Sequence, residues 1–299
     1  MALATRAGSA VAATEPIWVV LSDNSWAYTE AAGTLQAEWG AGVEGRDMLF
    51  LTAKDLPTGV PPSAIITLGS AALRSVMQRV SSVPEWSHVP VLAALVPRDG
   101  FAAIWKRPPA WVSAVYLDQP VERYLELIRQ SFPGLTRVGV MLGADSATLE
   151  ATLTKAATDR GLRLVTRQVP KPEVMYDALR SVLADSDVLL VLPDGVVTDV
   201  ASIQNVLITA YRQRVPVVGF SPGLVKAGAT LGLYASPAQV GQQVAAVLTT
   251  QPGWQSGMPP RLADAFTIAV NEQVCKSLGL TVPKVSDVTE AIRRKEGRR

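Results

Sequence analysis

RVGVMLGADSATLEATLTKAATDRGLRLVT (137–166) sets how the rest of the chain is read. Its first six residues are a short Val/Leu-rich run closed by Gly143, the pattern of a strand buried on both faces. Apolar residues then recur at Leu149, Leu153 and Ala157, the spacing of one helix face, and Gly161 ends the helix. LRLVT (162–166) opens a second apolar run. Strand, helix and strand in so short a stretch form a crossover unit whose strands run parallel.

The same alternation extends in both directions. Downstream, DVLLVL (187–192), VPVVGF (215–220) and ATLGLY (229–234) read as strands, and 146–160, 174–184, 197–214 and 237–249 as helices. Upstream, IWVVL (17–21), MLFL (48–51), AIITL (64–68), VPVLAAL (89–95) and WVSAVY (111–116) read as strands. Trp26–Trp39 follows the cap-rich SDNS, and Ser70–Arg79 opens on a Ser at the cap or first helical position. The spacing predicts an α/β chain of two Rossmann-like lobes, each a parallel sheet covered by helices. After a complete second lobe come another helix, the loop QPGWQSGMPP (251–260) and a strand AFTIAV (265–270), so the chain is expected to cross back between lobes. Three crossings follow, at Tyr116–Pro120, Tyr234–Ser236 and Asp264–Phe266. Lobe 1 is expected to hold 17–115 plus 237–264, and lobe 2 116–236 plus 265–283, with 1–16 and 284–299 as flexible termini.

The composition fits this reading. At about 150 residues per domain, 299 residues suggest two domains, and 48% apolar residues suffice for two cores. With 28 basic and 26 acidic side chains the net charge is +2, and the basic residues cluster only at the tail, which argues against nucleic acid as a partner. The single Cys275 cannot form an internal disulfide and reads as a small buried residue; the single His88 reads as a loop residue. No apolar window is long enough to span a membrane. The start, MALATRAGSAVAATEP, is Ala-rich with an A-x-A-like end but lacks the continuous apolar core of a signal peptide, so it reads equally as the remnant of a trimmed export signal or as an ordinary disordered N-terminus.

Parallel sheets bind ligands beyond the carboxyl ends of their strands. The segments there are Ser22–Trp26, Gly69–Ser70, Pro97–Gly100, Gly143–Ser146, Pro193–Gly195 and Ser221–Gly223. All are polar or turn-forming, and together with helix N-termini they would present a polar rim suited to an anionic group. From these ends and the second crossing the candidate ligand residues are Asp23, Asn24, Trp26, Ser70, Arg98, Asp145, Asp194, Ser221 and Tyr234. No phosphate-binding loop, dinucleotide fingerprint or nucleophile elbow occurs, and nothing pairs the strand-end carboxylates, so no enzyme activity, cofactor or metal is expected.

Several runs taken in order carry a resemblance. They are 119–165 (QPVERYLELIRQSFPGL…), ADSDVLLVLPDGVVTDV (184–200), 214–248 (RVPVVGFSPGLVKAGATLGLY…) and TIAVNEQVCKSLGLTVP (267–283). In this order they resemble ABC-transporter substrate-binding proteins of the type that binds tryptophan or related aromatic amino acids, with a periplasmic binding protein fold. The resemblance implies capture of a small ligand between two lobes, an amino acid or other small carboxylate. It also implies export to the periplasm, a monomer without membrane insertion, and delivery to a membrane permease. A sensory or accessory protein of the same fold, acting on another membrane partner, is the alternative. The resemblance further implies that Asp194 faces the ligand's ammonium group. Three places depart from the family: SDNSWAY (22–28) stands where a His-Pro pair is usual, Gly195 where Asn is usual, and YASPAQVG (234–241) where Tyr is more frequent.

Overall fold

The computed structural model describes residues 15–40, 47–251 and 253–297. Five parallel strands form the first sheet: β1 (Ile17–Leu21), β2 (Met48–Thr52), β3 (Ala64–Leu68), β4 (Val91–Val96) and β5 (Val112–Tyr116), in the order β2-β1-β3-β4-β5. Helices α1 (Trp26–Gly40), α2 (Ser70–Ser82) and the short α3 (Arg98–Ala102) connect them. The central strands are wholly buried, as near-continuous Val/Ile/Leu/Ala runs require when helices cover both sheet faces.

The second sheet is built from β6 (Arg137–Leu142), β7 (Arg163–Gln168), β8 (Val188–Leu190), β9 (Val217–Gly219), β10 (Leu231–Tyr234) and β11 (Thr267–Val270), in the order β11-β10-β9-β8-β6-β7. Its helices are α4 (Val121–Ser131), α5 (Glu150–Thr158), α6 (Met175–Asp185), α7 (Val200–Arg212) and α8 (Pro222–Ala227). The expected helix at 146–160 is split, a 3₁₀ turn at 147–149 preceding α5. Strand β11 alone runs antiparallel, on β10. The chain re-enters this lobe from the cleft side, where the parallel strands end, so the strand it adds must run the other way.

Between β10 and β11 the chain returns to the first lobe as α9 (Pro237–Thr250). Val240, Val244, Ala245 and Val247 bury against β1, β3 and β4 residues and against α1. Ser236 opens α9 with a capping box, its hydroxyl accepting from Gln239 N–H while Gln239 accepts from Ser236 N–H. Gly241 lets α9 lie against α1: a Cβ there would meet the Ala31 carbonyl oxygen at 2.5 Å.

The expectation of a flexible end from 284 onward is corrected. After α10 (Glu272–Ser277), residues Val285–Glu296 form α11, which packs on α4 and buries Val288 and Ile292. These two stand four apart on one helical face, enough to dock an otherwise charged helix. The expectation for 1–16 falls largely outside the described residues. Cys275 is buried, as its surroundings suggested. No helix among the described residues is long and apolar enough to cross a membrane.

Gly241→Ala is expected to destabilise the protein by about 1–3 kcal/mol by forcing α1 and α9 apart. Gly33→Ala, on α1 with open space at its Cβ, is expected to stabilise it by about 0.5–1 kcal/mol. Equilibrium denaturation of both variants checks the pair.

Candidate ligand-binding cleft

The carboxyl ends of both parallel sheets face a cleft that holds two cavities. The larger, about 550 Å³, is lined by the start of α1, the ends of β4 and β9, the first two crossings and Thr267. Aromatic rings dominate it: Trp26, Tyr28, Tyr124, Phe220 and Tyr234. The N-termini of two long helices, α1 and α9, open onto it and favour negative charge there. Lys226 adds a cation, and Glu30 and Asp118 add carboxylates.

Leu95 also lines this cavity, with a left-handed φ of 54° at the point where the β4–β5 register shifts. Left-handed backbone is costly for a residue with a branched side chain and persists where surrounding structure imposes it. Here the bulge turns the leucine out of the β4 alternation.

The smaller cavity, about 320 Å³, is polar. Arg98, Asp99, Gln119, Glu122, Asp145 and Thr148 are among its lining residues. Asp118 and Pro193 belong to both cavities, so the two are compartments of one cleft that meet at the first crossing. Asp118 Oδ2 accepts from Arg98 N–H at 2.7 Å, which ties the crossing to the start of α3. Burial pushes its carboxyl up, against the opposing pull of the Arg98 N–H and guanidinium. Burial likewise raises the Tyr234 and Tyr124 phenols, and Asp118 raises Tyr124 further.

Among the residues expected from sequence, Trp26, Ser221 and Tyr234 line the aromatic compartment, and Arg98 and Asp145 the polar one. Trp26 is 69% exposed, at the rim. Ser221 doubles as the cap of α8, accepting from Leu224 N–H, and Asp145 accepts from Gly195 N–H at 3.0 Å. Asp23, Asn24 and Ser70 line neither compartment. Asp23 instead turns back to accept from Ser25 N–H.

Asp194, expected opposite a ligand ammonium, also lines neither compartment. It is 2% exposed, and four donors of this chain hold its carboxylate: Ser146 Oγ–H at 2.7 Å, Ser146 N–H, Val196 N–H and Val197 N–H. Gly143 makes room for it, since a Cβ at that position would lie 2.1 Å from Asp194 Oδ1. Burial pushes the carboxyl up, but the hydrogen bonds from Ser146, Val197 and Val196 outweigh it and hold the group below the ordinary aspartate range.

Sequence reasoning missed Tyr28, Tyr124, Phe220, Glu30 and Asp118. Two of them carried a signal: Phe220 closes the strand-like VPVVGF, and Asp118 sits inside the stretch already read as a crossing.

The family described as ABC transporter substrate binding protein matches residues 86–290. The chain belongs to that family. No curated protein matches it. Among solved structures, this substrate-binding protein resembles a conserved domain protein from Vibrio cholerae O1 biovar eltor at 20% identity and a TM-score of 0.59, over 93% of this chain and 98% of that one. It resembles an ABC domain from Streptococcus pneumonia, solved in complex with L-Trp, at 16% identity and a TM-score of 0.58, over 92% and 98%. It also resembles a ligand-free, open substrate-binding protein with adhesive properties from Clostridium difficile, at 19% identity and a TM-score of 0.64, over 91% and 97%. At these identities the likeness establishes the two-lobed fold.

Asp194→Ala is expected to destabilise the protein by at least about 3 kcal/mol, because buried donors lose a charged acceptor. A depressed carboxyl stabilises the fold above its unfolded pKa, and that stability is lost as pH falls through the folded value. The variant's stability is therefore expected to be flatter than wild type on acidification, read by denaturant titration across the acid range.

Proposed function

We propose that this protein is the solute-binding component of an ABC-type uptake system, taking up a small ligand with an aromatic or apolar body between its lobes. The observation that carries this reading is the larger cavity. Its volume suits a small solute, and residues from both lobes and the crossings line it. A ligand there would touch both lobes, so binding would favour the closed arrangement by its differential contacts.

The lobes divide at residues 115–116, 236–237 and 264–265, and closure is a hinge motion at these places. An amino acid or other small carboxylate suits the pocket: its carboxylate would face the α1 and α9 N-termini and Lys226, and its body would lie among the rings. The L-Trp complex of the streptococcal neighbour supports that class. The protein acts outside the cytoplasmic membrane as a monomer and hands its ligand to a permease.

A thermal-shift screen against L-amino acids, nucleosides and short carboxylates tests the reading. A ligand at about 100 times its Kd is expected to stabilise the protein by roughly 2.7 kcal/mol. Closure is expected to bury the exposed Trp26 indole and change tryptophan fluorescence. Trp26→Phe is expected to remove most of that change with the fold intact. A screen with no stabilising compound, or a fluorescence change that survives the substitution, counts against this account of the cleft.

A further inference from the structure

The charge of the cleft is uneven. In the polar compartment Asp99, Asp118 and Asp145 face one cation, Arg98. In the aromatic compartment Glu30 and Asp118 face one cation, Lys226. Such a cleft focuses a negative field where water is thin.

Three carboxylates of the cleft are short of partners, Asp99 among them with its Oδ1 buried and unbonded. Glu30 Oε2 is buried without a hydrogen-bond partner, although the residue lines the aromatic compartment. Asp118 is bonded only by backbone N–H groups and belongs to none of the ion pairs among the described residues. Asp118 is partly buried, with the Arg98 guanidinium as the polar compartment's one cation, and a carboxylate so lightly compensated gains when a second cation arrives. Asp118 also stands where the two compartments meet, in the same lining as Tyr124 and Tyr234.

We propose that Asp118 selects the ligand: a cationic amine seats on it at the seam of the compartments, assisted by Glu30, while an aromatic body fills the larger one. This rests on the reading of the larger cavity as the ligand site and adds the group that discriminates. Asp118 is then a specificity-determining residue, and a matched acid without the amine is a poor ligand.

Calorimetric titration with 2-phenylethylamine, L-phenylalanine and 3-phenylpropionate tests this on wild type, Asp118→Asn, Asp118→Glu and Glu30→Gln, with thermal melts confirming each fold. Wild type is expected to bind the amine and the amino acid at least tenfold more tightly than 3-phenylpropionate. Asp118→Asn is expected to weaken the first two tenfold or more and leave 3-phenylpropionate unchanged or tighter. Asp118→Glu keeps the charge and is expected to retain the preference, and it carries the test if the Asn variant does not fold. Glu30→Gln is expected to shrink the preference by a smaller factor. Equal loss for all three compounds in Asp118→Asn would reduce Asp118 to a hinge residue and overturn the proposal, as would an unchanged preference. A preference abolished by Glu30→Gln alone would move the seat to Glu30 and overturn it too. If none of the three binds the folded wild type, the reading of the cavity fails, and the role of Asp118 with it.

Discussion

Two lobes joined by three lengths of chain hold together only if those lengths keep their spacing, and the guanidinium of Arg123 does much of this. Its Nη1 donates to Gln119 Oε1 at 2.7 Å and to the Ala263 carbonyl at 2.9 Å; its Nη2 donates to the Asp264 carbonyl at 2.7 Å. It thereby ties the first crossing to the third. The same group pairs with Glu296 of α11 and lies 5.0 Å from the Phe266 ring centroid. A guanidinium has five donors in a fixed fork, so one buried arginine can hold several acceptors that a lysine could not. The docking of α11 follows, since it supplies the counter-charge that a buried cation needs.

Glutamine side chains complete the link. Gln119 Nε2 donates to the Ala265 carbonyl, Gln239 Nε2 to the Phe266 carbonyl, and Gln243 spans the Leu262 carbonyl and Asp264 N–H. Gln239 also caps Ser236, so the second crossing is held to the third. Each amide donates and accepts at once, which suits a place where irregular backbone leaves both kinds of group to satisfy. The three crossings thus form one bonded junction between the lobes.

Much of the fold was legible because its signals are local. A Val/Ile-rich run followed by a polar turn and a helical period reads as a crossover unit wherever it occurs, and eleven such runs lie where strands form. The final helix was illegible for the opposite reason. VSDVTEAIRRKE is dominated by charge, and only the i, i+4 pair of Val288 and Ile292 betrays a docked face. The site was less legible than the fold. PDG at 193–195 reads the same whether Asp194 meets a ligand or caps its own turn; the difference lies in Ser146 and Gly143, some fifty residues away. Tyr124 reads as a core residue of α4, and it is one, although it also lines the cleft.

The self-satisfied Asp194 constrains how any ligand is recognised. Its hydrogen bonds join the loop after β6 to the loop after β8, so the carboxylate gives this floor of the second lobe its shape. Withdrawing it to meet a ligand would strand two loops of backbone donors, a cost that one new ion pair does not recover. Recognition of a positive group therefore passes to carboxylates that the fold holds by fewer bonds. Those are Asp118, on the crossing that both compartments share, and Glu30, whose buried oxygen has no donor of its own. The acidic residue at the strand end shapes the wall, and the acidic residue at the hinge is left to read the ligand.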